Sequence, residues 1–280
     1  MAILKLKLLR SLGIRRFHQV PNIGLDSANG IKGLLSPEGL QIAWFDYQTS
    51  LLNRINESLD KIPELKKFDD LLSLHRACIH SGDPAVKSLT SLSGQAFNNE
   101  FFFKSLRTEG SVNKNATFKE DSRHVDISQE VINMPRFTPA PEISETDTSY
   151  FVKSTPHPAY DAITSDHAFR SVSVFRESLI DRGASMIGNG AVWLVSSSQN
   201  SGILNTYGWG TPLSQEHEND VASQVVSPAN TLSVYPVLGI NLWEHIYLKD
   251  YGVAGKRKFM ENCFDCIDWS VIDERIEEAK

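Results

Sequence analysis

The sequence predicts an α+β fold, with a helical first half and a second half in which helices flank a three-stranded antiparallel sheet. Apolar residues in the first half recur every three or four positions, which is typical of helices. The second half contains three strand-like runs that turn residues separate. A polar stretch rich in Ser, Thr and Pro lies between the halves and divides the chain.

The composition sets limits on the class of protein. The chain has 280 residues, of which 41% are hydrophobic and 22% charged, as in ordinary globular domains. It has 34 acidic against 28 basic residues, so its net charge of −6 argues against binding that depends chiefly on neutralising phosphates. Three cysteines do not suggest a disulfide framework. No apolar run approaches the roughly 20 residues of a membrane span.

Positive charge is concentrated at the start of the chain, in residues 1–20. Leucines interleave there with five cations, and the first carboxylate is Asp26. We predict that residues 1–20 are a mitochondrial presequence, with a processing point near Arg15-Arg16-Phe17. The alternative is a basic arm that stays on the protein. Removal of the five cations changes the net charge from −6 to −11.

The first half is predicted to be a set of packed helices. Ser36-Pro37 opens a long helix, because serine caps helices and proline suits the first helical position. A second helix is predicted over 65–79, and Gly82-Asp83-Pro84 then breaks the pattern. A short third helix is expected around Phe97 to Leu106. From 107 to 158 five prolines prevent any long regular element, so this stretch is a linker or a segment that orders against a partner.

The second half is predicted to alternate between helices and strands. A helix is expected over 169–187, and the chain closes with helices over 242–249, 256–267 and 271–279. The three strands are predicted at 191–197, 203–207 and 231–238.

Four short motifs in the second half carry a family resemblance. In chain order they are Gly188-Asn189-Gly190-Ala191-Val192-Trp193-Leu194, Gly210-Thr211-Pro212-Leu213, Pro236-Val237-Leu238-Gly239 and Asn241-Leu242-Trp243-Glu244-His245. Together they resemble the C-terminal domain of the iron and manganese superoxide dismutases. The resemblance implies a helical N-terminal domain at 34–106, an insertion at 107–158 and an α/β C-terminal domain at 159–280. It also implies helices packed on a three-stranded sheet.

The same resemblance implies where metal ligands would stand, because that family holds its metal with three histidines and one aspartate. Those positions fall here on Ala43, Asn99, Asn241 and His245. Only His245 carries a suitable donor, since a neutral amide is a poor ligand for iron or manganese. We therefore predict no metal, no cofactor and no dismutase activity.

The surroundings of the implied metal site are altered as well. Leu51 stands where the family has its active-site tyrosine, and Gln95 stands where iron-type members have an outer glutamine. The alternative is a divergent mitochondrial dismutase that recruits other donors, such as Asp46 or Glu100.

Glu244 and His245 also have a second implied role. In the family, this glutamate reaches across a two-fold interface to the ligand histidine of the other subunit. We therefore expect Glu244 and His245 to lie at a dimer interface, although both residues also suit ordinary helix packing.

The chain combines dismutase-like motifs with a basic leader, a polar insertion and the loss of three ligands. In this combination it is similar to the superoxide-dismutase-like proteins of the fungal mitochondrial small ribosomal subunit. This similarity implies a structural role in mitochondrial translation, in the matrix. The implied partners are a related dismutase-like subunit in a heterodimer, other small-subunit proteins and peripheral rRNA, with no membrane. A free matrix dimer unrelated to ribosomes fits the same sequence features.

The remaining polar and cysteine residues give weaker signals. Cys263 and Cys266 have the spacing of a zinc or redox pair, but no second pair exists, so buried structural thiols are favoured. The other isolated histidines of the middle and later chain are predicted to lie on the surface or in loops. These are His124, His157, His167 and His217.

Overall fold

The structure is a computed structural model that describes residues 18–79, 81–107, 158–165, 168–196, 201–214 and 235–279. Several predicted features lie outside those residues. They are positions 1–17 of the leader, positions 108–157 of the insertion, position 197 of the first strand, positions 231–234 of the third strand, and His124, His157, His167 and His217.

The first helix is interrupted by a π-helical segment. Helix α1 (Pro37–Leu40) begins where the Ser36 hydroxyl accepts a hydrogen bond from the Gly39 N–H. The π segment (Gln41–Asp46) follows, and helix α2 (Tyr47–Lys61) continues from it. The prediction of one regular helix is wrong here. A π turn accommodates one extra residue, and Ala43 and Trp44 within it are both buried.

The next segment is a short turn and a helix rather than one helix over 65–79. A 3₁₀ turn (Pro63–Lys67) ends at Phe68, whose backbone is extended, and helix α3 (Leu71–Ile79) starts afresh. The apolar residues between 65 and 79 keep a helical spacing although they belong to two elements. This spacing gives no sign of the extended backbone that separates the two elements.

Helix α4 (Pro84–Phe103) is far longer than the short helix predicted around Phe97. The carboxylate of Asp83 caps it by accepting a 2.9 Å hydrogen bond from the Ala85 N–H. Asp83-Pro84 therefore starts α4 as well as breaking the helical pattern that ends with α3. Helix α4 packs on α2 and α3 and also contacts the sheet, so it connects the two halves of the molecule.

The second half contains the predicted three-stranded antiparallel sheet. The strands are β1 (Gly190–Ser196), β2 (Ser201–Tyr207) and β3 (Tyr235–Asn241), in the order β2-β1-β3. Gly190 pairs with Tyr207 and Ala191 with Asn241, so the start of β1 lies beside the ends of β2 and β3.

Helices surround this sheet as expected. Helix α5 (Pro158–Thr164), which was not predicted, starts at the edge of the insertion, and α6 (Val172–Ser185) leads to β1. After the sheet come α7 (Glu244–Tyr251), α8 (Lys256–Asp265) and α9 (Trp269–Glu278). Helix α7 packs on the π segment, and α9 packs on α5 and β3.

The buried apolar residues form two clusters. The larger one lies between the sheet and its helices, and includes Trp44, Phe102, Phe103 and Phe259. The smaller one fills the space between α2, α3 and α4, and includes Leu51. Within the described residues, no helix has both the length and the apolar character that crossing a bilayer requires.

Arg275 ties the C-terminal helix to both halves. Its guanidinium donates to the Ser105 hydroxyl at 2.8 Å and to the Val237 carbonyl at 3.0 Å. It also lies 3.7 Å from the centre of the Phe101 ring, in a cation–π arrangement. Burial lowers the pKa of Arg275 to about 10, which leaves it charged at neutral pH.

Candidate functional site

Four separate elements carry the residues at the implied metal-ligand positions. Ala43 lies in the π segment, Asn99 in α4, Asn241 at the end of β3 and His245 in the first turn of α7. The Asn241 side-chain oxygen accepts a 3.1 Å hydrogen bond from the Trp243 N–H, which fixes the turn from β3 into α7. The structure brings Ala43, Asn99 and Asn241 into one hydrogen-bonded cluster.

Three buried carboxamides, from Asn241, Asn99 and Gln48, form what we call the amide chain. Asn241 Nδ2 donates to Asn99 Oδ1 at 3.1 Å, and Asn99 Nδ2 donates to Gln48 Oε1 at 3.1 Å. Gln48 Nε2 in turn donates to the Ala96 carbonyl at 3.1 Å. All three side chains are at most 2% exposed.

Each oxygen of the amide chain already accepts an N–H group. Asn241 Oδ1 accepts from the backbone, Asn99 Oδ1 accepts from Asn241, and Gln48 Oε1 accepts from Asn99. Buried polar groups are stable when they find partners in this way, and neutral amides carry no charge that must be balanced. The amide chain therefore satisfies itself without a bound ion.

The π segment helps to complete this network. The Tyr47 N–H bonds to the Ile42 carbonyl, five residues earlier, instead of to the Ala43 carbonyl as in a regular α-helix. The Ala43 carbonyl accepts a 3.2 Å hydrogen bond from Asn99 Nδ2. Ala43 thus takes part through its backbone, although its side chain has no donor atom.

Tyr47 and Gln95 form a second polar contact beside the amide chain. The Tyr47 hydroxyl donates to Gln95 Oε1 at 2.6 Å, and burial raises the pKa of Tyr47 to about 12. Gln95 also donates to the Ser91 carbonyl at 3.1 Å. Leu51, where the resemblance implies a tyrosine, lies instead in the smaller apolar cluster.

His245 packs against an aromatic ring. Its ring centre lies 3.7 Å from that of Tyr47 and 5.9 Å from that of Trp243. Its Nε2 atom is buried, and nothing within the described residues forms a hydrogen bond with it. Burial lowers the pKa of His245 to about 4, so the ring is neutral at pH 7.

Glu244 lies on an exposed surface that also carries large apolar side chains. The Glu244 N–H donates to Asn189 Oδ1 at 3.1 Å, so the start of α7 is attached to the loop before β1. Ile187 in this loop is 89% exposed, and Tyr207 at the adjoining end of β2 is 61% exposed. We call the surface formed by Ile187, Tyr207 and Glu244 the seam face.

Neither of the alternative donors supplements the amide chain. Asp46 is exposed and accepts a hydrogen bond from Gln41 Nε2. Glu100 forms an ion pair with Lys104 on the surface of α4. Among the residues that the structure describes, no three His, Cys, Asp or Glu side chains are grouped so that they could hold a metal ion.

Cys263 and Cys266 are buried thiols, as favoured from the sequence. Cys78, Cys263 and Cys266 are all free and buried. Burial raises the pKa of Cys266 to about 11, which keeps it protonated and unreactive at neutral pH. Its Sγ atom lies 3.6 Å from the Lys32 carbonyl.

The side chains at the four implied positions do not fit an iron or manganese ion. A redox metal of this kind needs imidazole nitrogens and an anionic oxygen. The chain offers a methyl group, two carboxamides hydrogen-bonded to each other and one imidazole packed against a tyrosine ring. No chemical step through a bound metal follows from this arrangement.

Gln48 and Tyr47 complete the site, and neither was predicted from the sequence as a site residue. Both belong to the segment that follows Ala43 on the opening helix. Gln48 lies five residues after Ala43, which is one π turn further along the helix. In a regular α-helix the neighbours on the same face are three and four residues away, so Gln48 is not expected beside Ala43. A polar residue in an otherwise buried helical face was the available signal.

Similarity to known proteins divides between dismutases and ribosomal proteins. The family model for the C-terminal domain of the iron/manganese superoxide dismutases matches residues 159–275. Manganese superoxide dismutase 1 of Leptolyngbya boryana is 26% identical over 116 residues, which cover 41% of this chain and 40% of that protein.

Two ribosomal proteins of Schizosaccharomyces pombe match more of the chain. Small ribosomal subunit protein mS43 is 26% identical over 273 residues, covering 94% of this chain and 85% of that protein. Small ribosomal subunit protein mS42 is 26% identical over 208 residues, covering 71% of each. The chain therefore has the dismutase-like fold that its motifs predicted, and its similarity to these ribosomal proteins extends well beyond the C-terminal domain.

Replacing Asn99 tests the energetic importance of the amide chain. Asn99→Ala leaves the Ala43 carbonyl, Gln48 Oε1 and Asn241 Nδ2 buried without their partner, and it opens a small cavity. We expect urea unfolding to show a loss of about 2–4 kcal/mol in the free energy of unfolding. Asn53→Ala, on α2, is the matched control and should cost about 0.5 kcal/mol or less. Equal losses in the two variants would contradict the network's importance.

The largely buried imidazole of His245 predicts a pH dependence of stability. The folded chain binds a proton on His245 only near pH 4, whereas the unfolded chain binds it near the usual pKa of 6.5. Unfolding is therefore favoured as pH falls from 7 to 4, and the effect levels off below about pH 4. Over this range the wild-type chain should lose about 2–3 kcal/mol more stability than His245→Phe.

Urea unfolding of both proteins at several pH values measures this difference. His18 and His75 are buried in both proteins, so their own titration cancels in the comparison. Parallel pH profiles for the two proteins would contradict the assignment to His245.

Proposed function

We propose that this protein is a structural component of the mitochondrial small ribosomal subunit and has no catalytic activity of its own. The observation that carries the proposal is the similarity to small ribosomal subunit protein mS43 over 94% of the chain. The dismutase-like fold then serves as a rigid body that other proteins contact.

The amide chain supports the non-catalytic part of the proposal. A dismutase must hold a metal that changes oxidation state, and this requires imidazole nitrogens and an anionic oxygen as ligands. Here Asn99 and Asn241 use their amide groups on each other. The divergent-dismutase alternative would need Asp46 or Glu100, and both form contacts elsewhere on the surface.

We propose a related dismutase-like chain as the partner, seated on the seam face. Ile187 and Tyr207 expose apolar area beside Glu244, which is a typical combination at protein interfaces. His245 Nε2 lacks a partner within the described residues, and a carboxylate from a second subunit would satisfy it. The similarity to both mS43 and mS42 supports a pair of related chains.

The charge distribution suits attachment through protein surfaces. Without its leader the chain carries −11, so contact with rRNA would be limited to local Lys and Arg residues at the periphery. The proposed insertion begins and ends beside the C-terminal helices, because the Arg107 N–H donates to the Cys266 carbonyl and the Ala159 N–H to Asp273. We propose that it contacts neighbouring ribosomal proteins.

The leader is proposed to direct the chain to the mitochondrial matrix and to end before His18. Asn56 holds the His18 backbone at two points, since the His18 N–H donates to Asn56 Oδ1 at 3.1 Å and Asn56 Nδ2 donates to the His18 carbonyl at 2.9 Å. Residues 18–20, which the sequence assigned to the leader, therefore pack with the folded body. This favours processing near Arg15-Arg16-Phe17.

Sedimentation of the tagged protein from mitochondrial lysate tests the ribosomal role. We expect it to travel with the small subunit even at about 0.5 M KCl, where the Debye length of about 4 Å weakens purely electrostatic attachment. A protein that remains at the top of the gradient as a free dimer, or is absent from purified small subunits, would contradict the proposal.

The seam face is tested in the same gradients with a charge reversal. Glu244→Lys should reduce recovery of the dismutase-like partner with the tagged chain, because it removes the proposed contact from an exposed position without disturbing the core. Glu277→Lys, on the exposed side of α9, is the matched control and should leave recovery unchanged. Equal recovery with both variants would exclude Glu244 from the interface.

A further inference from the structure

A groove lies on the side of the molecule formed by the start of the described chain, α2, α3 and α4. Its volume is about 520 Å³. It is not part of the amide chain or of the seam face. Apolar side chains such as Leu52 and Phe97 line it together with charged side chains and His18.

The groove is acidic. Three carboxylates line it, from Asp69, Asp70 and Glu100, against one ammonium group from Lys104, which gives a net charge of −2 when His18 is neutral. Burial lowers the pKa of His18 by more than the three neighbouring carboxylates raise it, so the imidazole is neutral at pH 7.

Asp69 is the carboxylate most available to a ligand. It is exposed and, among the residues that the structure describes, it forms no hydrogen bond or ion pair. Asp70 uses one oxygen to accept a 2.8 Å hydrogen bond from the Ser73 N–H at the start of α3, and Glu100 is paired with Lys104. A cation entering the groove would therefore meet Asp69 at little cost in broken contacts.

The groove is also held in shape. The His18 side chain is only 6% exposed, and the two hydrogen bonds with Asn56 fix its backbone. The rings of Phe97 and Phe101 lie 5.7 Å apart, centre to centre, on the surface of α4. A preformed site of this kind requires little ordering when a ligand binds.

We infer that this groove binds an arginine- or lysine-bearing segment of a neighbouring protein. Long basic side chains place their methylene stems on apolar surface while the charged end reaches acidic groups. Phe97 supplies such surface and an aromatic face for a cation, and Asp69 supplies a carboxylate that a guanidinium can bond with two N–H groups. Nucleic acid is disfavoured, because its phosphates would face three carboxylates.

This inference goes beyond the proposed function and does not depend on it, since binding can be measured without ribosomes. The probe is a short fluorescent peptide of alternating arginine and alanine, and a peptide with citrulline in place of arginine is its neutral control. Fluorescence anisotropy with the full chain should show saturable binding of the arginine peptide only.

Single substitutions assign this binding to the groove. Asp69→Asn should weaken it about three- to fivefold, the size expected for a partly exposed charge pair. Glu277→Gln removes the same charge from α9, which contributes no residue to the groove, and should leave affinity unchanged. Equal affinity for wild type and Asp69→Asn, with unchanged unfolding temperatures, would overturn the inference.

Two further outcomes would also overturn it. Arg15 and Arg16 precede His18 in the same chain, so tighter peptide binding after combined Arg15→Ala and Arg16→Ala substitution would identify the chain's own basic segment as the occupant. Binding of a labelled single-stranded oligouridylate that competes with the peptide would identify nucleic acid instead.

Discussion

The hydrogen bond from Asn241 to Asn99 is the contact on which the centre of this molecule depends. It joins the last residue of β3 to the long helix α4, and Asn99 passes the connection to Gln48 on α2 and to the Ala43 carbonyl. The sheet, the π segment and the helical half therefore meet in one buried polar network. In a low-dielectric interior such a network stabilises the fold only when every member has a partner, and here each one does.

The same network gives this dismutase-like fold buried connections that require no metal. A bound ion holds helices and strands together by drawing charged ligands from several elements to one point. Neutral amides make the equivalent connections by donating and accepting in sequence, with no charge to bury. The π turn leaves the Ala43 carbonyl free to accept a hydrogen bond from Asn99 Nδ2. At position 43 the backbone, rather than a side chain, therefore joins the network.

The sequence predicted the three-stranded sheet and its antiparallel arrangement, because strand-like runs and the turns between them are local signals. Ala43, Asn99 and Asn241 were identified by resemblance and do lie together. The π segment was missed because the sequence pattern was interpreted as a regular α-helix. The full length of α4 was missed because Asp83-Pro84 was interpreted only as a helix break and not as the cap that starts α4. Gln48 was missed because its importance arises from tertiary contact with Asn99.

We propose that the amide chain occupies the place of a metal site, and metal analysis tests this proposal most directly. The full chain, expressed with iron and manganese supplied and then purified, would be analysed for both metals and assayed for superoxide removal. We expect neither metal at a significant fraction of the protein concentration, and no superoxide removal. One iron or manganese ion per chain, together with superoxide removal, would contradict it.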